Sequence, residues 1–290
     1  MVDAGPDVER LLPGLARVGV PNTVGRSGQA TNVYFLGDDD VTIIDAGSND
    51  AGATVLRALD DLKVQRVQRL ILTHAHPDHA GSVPAVASAT GAPVWGDSRD
   101  LNSTISGVEV VLDRDLRGGD SFEVPGGALE VYETPGHAPG HIALYAPHMR
   151  ALFAGDLLSG NGTIAVIPPR GSMYDYLASL RRVHVLDIET VYPGHGPVIA
   201  NGHDRIGEYI AHRERREEAI FDEVVCGHAQ ISAIVDVLYP DVIPRLRWHA
   251  EGTVLAHLLR LAQMNRVRPV DNVIDAPTPE RRFEVIQPTG

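Results

Sequence analysis

Thr73-His74-Ala75-His76-Pro77-Asp78-His79 packs three histidines and one aspartate into six positions, directly after the apolar stretch Leu70-Ile71-Leu72. A short buried strand that empties into such a cluster is suited to hold metal. Neutral imidazole nitrogens and carboxylate oxygens are ligands for zinc, iron(II) and manganese(II). If the strand carries on through Thr73, alternation puts His74 and His76 on one side. Asp78 and His79 then fall on the following turn, ahead of a helix that opens in Ala80–Val86. Two residues at a strand end and two on the adjoining turn can serve two neighbouring metals.

Working outward, three further settings repeat the pattern. Gly136-His137-Ala138-Pro139-Gly140-His141 follows the strand-like Leu129-Glu130-Val131-Tyr132. Ala151-Leu152-Phe153-Ala154-Gly155-Asp156 is an apolar strand ending in an acid, and Val191-Tyr192-Pro193-Gly194-His195-Gly196 is a strand running into a glycine-flanked histidine. Each time a β-rich run delivers one candidate ligand on a turn tightened by Gly and Pro.

With these residues in this order, the chain resembles the metallo-β-lactamase superfamily over roughly residues 30–200. The resemblance implies that His74, His76 and His137 hold a first metal, that Asp78, His79 and His195 hold a second, and that Asp156 bridges them. It implies that Asp45, in Ile43-Ile44-Asp45-Ala46-Gly47, supports the site from behind; the common form there ends in Thr-Gly, and Ala46 departs from it. Seven candidate ligands are too many for one tetrahedral ion, so two divalent ions are expected, zinc first, with iron or manganese as alternatives. Such a pair, about 3.5–4 Å apart, shares a bridging hydroxide that attacks a carbonyl or phosphorus centre. Asp78 doubles as the catalytic base. His141, four residues after His137, is expected to hydrogen-bond behind the ligands.

Strands alternate with helical segments along the first two thirds. Gln29–Gly37 and Val41–Ala46 read as a hairpin, Leu11–Val20 as a first strand, and Ala51–Leu62 as a helix by its Val55, Leu56, Leu59, Leu62 spacing. This is an α/β layered pattern in which ligands gather at strand ends; with the family resemblance it implies a four-layer αββα sandwich. Gly- and Pro-rich Asn161–Ser172 is placed as a wall beside the site, and Thr163 and Tyr174 are the expected substrate-side donors.

Residues 203–224 read as a long charged helix with a solvated face, including His212-Arg213-Glu214-Arg215-Arg216-Glu217-Glu218. Two more helices follow, Ile231–Leu238 and Trp248–Met264, then strand-like Arg266–Val270 and Arg282–Ile286. Helix, helix, hairpin is the order of a winged helix. We therefore expect a catalytic domain over 1–222 and a winged-helix domain over 223–290. A metallo-β-lactamase domain with that tail resembles the branch named after β-lactamase-like protein 2, as do Gly160-Asn161-Gly162-Thr163, Tyr174-Asp175-Tyr176 and Tyr192-Pro193-Gly194-His195-Gly196-Pro197-Val198-Ile199. That branch includes endoribonucleases acting on single-stranded RNA and thioesterases acting on carrier-bound polyketides; glyoxalase II hydrolases are its neighbours.

The composition narrows the choice. The 290 residues carry a net charge of −13, which disfavours nucleic acid and anionic membranes as partners. The segment from Glu223 to Gly290 has seven arginines against eight acidic residues, a net of −1. A winged helix that reads nucleic acid has a basic footprint, so Arg245, Arg247, Arg266, Arg268, Arg281 and Arg282 are expected to be ordinary surface arginines, and the tail to shape the cleft, pack on the catalytic domain or form a homodimer contact. No apolar run approaches 18 residues and no basic leader precedes one, which reads as a soluble, cytoplasmic protein. The single cysteine, Cys226, excludes an intrachain disulfide and is expected to be a small buried residue. Ester or thioester hydrolysis ranks first, on a small-molecule or carrier-bound acyl substrate. Cleavage of single-stranded RNA is the alternative, and a non-catalytic metal-binding interaction module a third. True β-lactamase action is disfavoured by the presence of Asp156 and the lack of a secretory leader.

Overall fold

The computed structural model describes residues 7–23, 28–101, 109–270 and 279–286. They fall into two compact units. One comprises Met1–Thr134, Gly140–Gly162 and Leu186–His203, the other Pro135–Pro139, Thr163–Val185 and Asp204–Gly290.

The first unit begins with a hairpin where one strand was expected. β1 (Val8–Leu12) and β2 (Leu15–Val20) pair antiparallel. The break is Pro13-Gly14: proline has no N–H for a ladder, and Gly14 takes a φ of 73°, open to glycine without steric cost. β3 (Thr31–Leu36) and β4 (Asp40–Ile44) form the expected hairpin. α1 (Gly52–Leu62) leads to β5 (Arg66–Ile71), parallel to β4. Then come α2 (Pro77–Ala80), α3 (Val83–Thr90), β6 (Val94–Gly96), α4 (Ser98–Leu101), β7 (Arg114–Asp115), β8 (Ser121–Val124), β9 (Gly127–Glu133), β10 (Ile142–Ala146), β11 (Ala151–Ser159), β12 (Thr190–His195) and β13 (Ile199–Ala200).

These strands make one hydrogen-bonded sheet in the order β7-β6-β5-β4-β3-β12-β11-β10-β9-β8, with β2 paired to β3, β1 paired to β2, and β13 beside β12. Its two halves bury two cores. Val33, Phe35, Ile43, Leu70 and Leu72 pack with Val55 and Leu59 of α1 and Val83 and Val86 of α3. The alternate side chains Tyr34, Leu36, Ile44 and Ile71 pack instead with Leu129, Val131, Leu144, Phe153 and Tyr192 of the other half. This is the period of two expected of strands covered on both faces. A helix layer and two sheet layers result, and the halves are joined by the β12–β3 pairing at His195 and Thr31.

Two strands differ from expectation at the cluster. β5 ends at Ile71, so His74 and His76 lie on the loop beyond it and not on a continuing strand. β11 does not end at Asp156 but runs to Ser159. Its parallel register against β12 slips around Gly155, which has a φ of 47°. Such a bulge re-aims the neighbouring side chain, here Asp156.

The second unit is mostly helical. α5 (Met173–His184) is capped by Ser172, whose Oγ accepts from the Asp175 N–H at 3.3 Å. α6 (Gly202–Val225) enters this unit at Asp204. α7 (Ile231–Leu238), α8 (Pro244–Gln263) and the antiparallel pair β14 (Val267–Pro269) and β15 (Phe283–Val285) complete it. Its core gathers Ile220 and Val224 of α6 with Ile231, Ile234, Val254, Leu258, Leu261, Val267 and Phe283.

Two expectations fail here. α6 is not solvated along its charged run, because Arg213 is 2% exposed and Glu217 4%, in the stripe shared with Ile206, Tyr209, Ile220 and Val224. Their spacing of three and four puts them on one face. The charges are held by partners: Arg213 Nη2 donates to the Ile164 carbonyl with its guanidinium over the Tyr176 ring, and Glu217 pairs with Arg260 and His257. Cys226 is exposed, since it lies just past the last turn of α6 and outside that stripe.

Candidate metal centre

Four loops and strand ends of the first unit converge on one cluster. Asp45, directly after β4, holds it from behind with a left-handed backbone (φ 61°), a conformation that aspartate tolerates better than most residues. Its carboxylate accepts from the Thr73 N–H at 2.8 Å, from Thr73 Oγ1 at 2.9 Å, and from His79 Nδ1 at 2.8 Å. Since Thr73 Oγ1 donates to Asp45, it accepts from His74 Nδ1, 3.1 Å away, which leaves His74 Nε2 facing His76 Nδ1 at 3.0 Å. His195 Nδ1 donates to the Ala30 carbonyl at 2.9 Å. The outward nitrogen of each ring thus carries the proton and the inward one faces the cluster.

The inward atoms are evenly spaced. His79 Nε2 lies 3.3 Å from His195 Nε2 and 3.4 Å from Asp156 Oδ1; His195 Nε2 lies 3.4 Å from both Asp156 Oδ1 and Asp78 Oδ2. Donors bound about 2.0–2.1 Å from one tetrahedral ion sit about 3.3–3.4 Å apart. Two imidazole nitrogens facing each other at that distance need either a proton on one of them or a cation between them. The donor set therefore fits a divalent metal. Two compact groups arise within this unit, His74-His79-Asp156 and Asp78-His79-His195.

The cluster is buried and its charges are strongly coupled. Burial works against the Asp78 carboxylate, yet His195 and His79 outweigh it and hold the group down at about 2. Burial likewise opposes charge on His195, but Asp156 and Asp78 push it up to about 10. Asp156 is held well below the usual carboxylate range by His195 and His79 despite its burial. Carboxylates and imidazoles thus stabilise one another's charge across the cluster.

His141 sits behind the cluster. The Asp156 N–H donates to its Nε2 at 2.9 Å, and its Nδ1 bonds Thr134 Oγ1 at 2.8 Å. Gly155 makes this approach feasible, since a Cβ there would lie 2.8 Å from His141 Nε2 and 2.9 Å from Thr73 Oγ1. His137 belongs to the second unit, where its Nδ1 donates to the Ala165 carbonyl at 2.8 Å. Thr163 and Tyr174, also in that unit, have exposed side chains.

Sequence reasoning missed three groups. Asn22 Nδ2 donates to Asp78 Oδ2 at 2.6 Å, the Ala30 carbonyl fixes His195, and Asp100 accepts from the Ala75 N–H. No spacing rule marks an asparagine in a lead-in loop or an acid in a four-residue helix.

Residues 26–195 match the family described as the Metallo-beta-lactamase superfamily, and residues 231–274 match the Beta-lactamase associated winged helix domain. The chain belongs to the metallo-beta-lactamase superfamily: it is a hydrolase of that fold with a winged helix domain at its C-terminal end. It is 28% identical over 279 residues to a Beta-lactamase-like protein 2 homolog of Caenorhabditis elegans, covering 93% of this chain and 89% of that one. It is 30% identical over 217 residues to an Atrochrysone carboxyl ACP thioesterase of Aspergillus fumigatus, covering 74% and 66%. A solved metallo-beta-lactamase family protein of Thermus thermophilus superposes with a TM-score of 0.77 at 26% identity, covering 96% of this chain and all of the other. Among the described residues, no helix is long and apolar enough to cross a membrane.

Proposed function

We propose that this chain is a dinuclear metal hydrolase of esters or thioesters, acting on an acyl group carried by a small molecule or a carrier protein. His74, His76 and His137 are assigned to one ion, Asp78, His79 and His195 to the other, and Asp156 to both. The observation that carries this is the 3.3–3.4 Å spacing of inward donors around His79, His195, Asp78 and Asp156. Zinc is the first choice of ion, with iron and manganese served by the same donors. Two divalent ions bound there supply Lewis acidity and lower the pKa of a water toward neutrality.

The chain's own residues do the rest. Asp78, steadied by the Asn22 amide, orients the attacking water and receives its proton. Asp45 and the Ala30 carbonyl keep the His79 and His195 rings in the right tautomer, and His141 holds the Asp156 backbone. Thr163 and Tyr174 are assigned to hydrogen-bond the substrate. The tail domain, taken from residue 223, serves as structure or docking surface. Its arginines support that reading over RNA binding: Arg247 pairs with Asp236 and Glu251, Arg266 with Glu218, and Arg268 with Glu284. Carboxylates so placed offset the charge that phosphates require. The thioesterase name of the Aspergillus fumigatus relative supports the acyl substrate. A cytoplasmic location belongs to the same reading, given a lone cysteine.

The test is a parallel screen of metal-loaded protein on acyl thioesters, esters and a labelled single-stranded RNA, with Asp156→Ala beside it. Thioester turnover that the variant loses, with RNA intact, is expected. RNA cleavage that the variant loses, with every ester inert, would replace this reading with an endoribonuclease.

A further inference from the structure

The loop that carries His74 and His76 is held by side chains where the sheet stops holding it. The Leu72 N–H still bonds the Trp95 carbonyl in ladder fashion, and β5 has already ended at Ile71. Beyond it, two N–H groups of the loop go to carboxylates from different segments: Thr73 N–H to Asp45 Oδ1, and Ala75 N–H to Asp100 Oδ2. Buried N–H groups need such partners. The Ala75 N–H lies between the two histidines, in the peptide plane that links His74 to Ala75. Fixing that plane sets how the His74 ring is presented relative to His76, whose facing nitrogens are 3.0 Å apart.

Asp100 is itself carefully installed. It is 1% exposed, an extreme position for a carboxylate on a four-residue helix. Ion pairs surround α4: Arg99 of the helix pairs with Asp97 just before it and with Glu133 at the end of β9, and Arg117 pairs with Asp97 at 2.5 Å and Asp115 at 2.6 Å. The Ser98 N–H adds a bond to Asp115 at 2.9 Å. On the inner side the chain makes room with Gly140, where a Cβ would lie 2.7 Å from the Asp100 nitrogen and 2.8 Å from its Cβ. The glycine before His141 and the acid of α4 thus occupy one another's space.

We propose that Asp100 is a positioning residue for the metal centre: its carboxylate holds the Ala75 N–H and so sets the geometry of His74 and His76. The proposal rests on the reading of those two histidines as ligands. Outer hydrogen bonds of this kind are worth about 10–100-fold in metal affinity. What matters is an acceptor at that point, so asparagine, with one amide oxygen, can replace aspartate and alanine cannot.

Apo protein is titrated with Zn(II) in competition with a chromogenic chelator, for wild type, Asp100→Ala, Asp100→Asn, Gly140→Ala and His76→Ala, each checked for fold by circular dichroism. Asp100→Ala is expected to weaken the tighter-bound equivalent or lose one equivalent, by about 10–100-fold, while Asp100→Asn stays within a few-fold of wild type. Gly140→Ala, which pushes on α4 without touching a ligand, is expected to fall with Asp100→Ala; it supplies the answer if Asp100→Ala does not fold. Wild-type affinity in Asp100→Ala, or in Gly140→Ala in that event, overturns the proposal, as does an asparagine variant as weak as alanine. If His76→Ala keeps full affinity, the ligand reading fails instead, a result separable from the others.

Discussion

Gly194 offers a sharp test of how tightly the centre is built. It lies in β12 one residue before His195, on backbone that any residue can adopt, so alanine there brings no φ strain. The obstacle is contact. A Cβ would stand 2.6 Å from Asp156 Oδ1 and 2.8 Å from His79 Cε1, where ordinary contact begins at 3.4 Å. The differences, 3.4 less 2.6 and 3.4 less 2.8, require Asp156 to move about 0.8 Å and His79 about 0.6 Å if each yields alone, whereas metal–ligand distances tolerate about 0.2 Å. Neither side chain has a soft exit, since His79 is fixed by Asp45 and the Asp156 backbone by His141. Gly194→Ala should therefore fold and lose about 10–100-fold in Zn(II) affinity, read by the same chelator competition. Gly19→Ala in β2, whose Cβ meets nothing closer than 3.8 Å, is the control that should match wild type. Wild-type affinity in Gly194→Ala would refute the claim that Asp156 and His79 are held where the metal needs them.

Three other outcomes follow from the second unit and its surroundings. Burial keeps His257 neutral down to about pH 4, against an ordinary value of 6.5, among Glu217, Arg213 and Arg260. The unfolded chain binds that proton first, so stability is full above pH 6.5 and falls by about 3 kcal/mol as pH drops to 4; urea unfolding of His257→Gln should lack that loss, and equal slopes would refute it. Arg213→Ala strips a charged donor from the buried Ile164 carbonyl and should cost about 2–3 kcal/mol, seen as a lower urea midpoint with an unchanged m-value; a loss below about 0.5 kcal/mol would mean the arginine is not structural. Cys226 should react with one equivalent of a thiol reagent in the folded protein at the rate of a free thiol, and labelling that waits for unfolding would return it to the interior.

The sequence was legible where ligand-type residues cluster on turns. That His74, His76, Asp78, His79, Asp156 and His195 come near one another was foreshadowed by the Gly- and Pro-rich turns around them; their role as ligands is the proposal made above. The winged helix was legible for a similar reason: α7 matches Ile231–Leu238 residue for residue, because Ile231, Ile234 and Val235 repeat at helical spacing. Strand ends were less so. His74 and His76 face one another without a strand beneath them, because carboxylates take over from the ladder, and β11 passes Asp156 because a bulge at Gly155 lets it. Burial of charge was hidden altogether. Arg213 and Glu217 look like a solvated face until the partners that neutralise them, Ile164, Arg260 and His257, arrive from distant segments. Periodicity locates a face; it cannot say whether the opposite surface offers water or a counter-ion.

The pairing of His195 with Thr31 has a temporal side. It joins the two halves of the sheet across a separation of 164 residues, and the same histidine contributes an inward donor. A ribosome that has released only the first half presents His74, His76, Asp78 and His79 on a loop with neither Asp156 nor His195 to close it. Contacts of such long range form late. On the proposed assignment, the full set of inward donors therefore exists only once the chain is nearly whole.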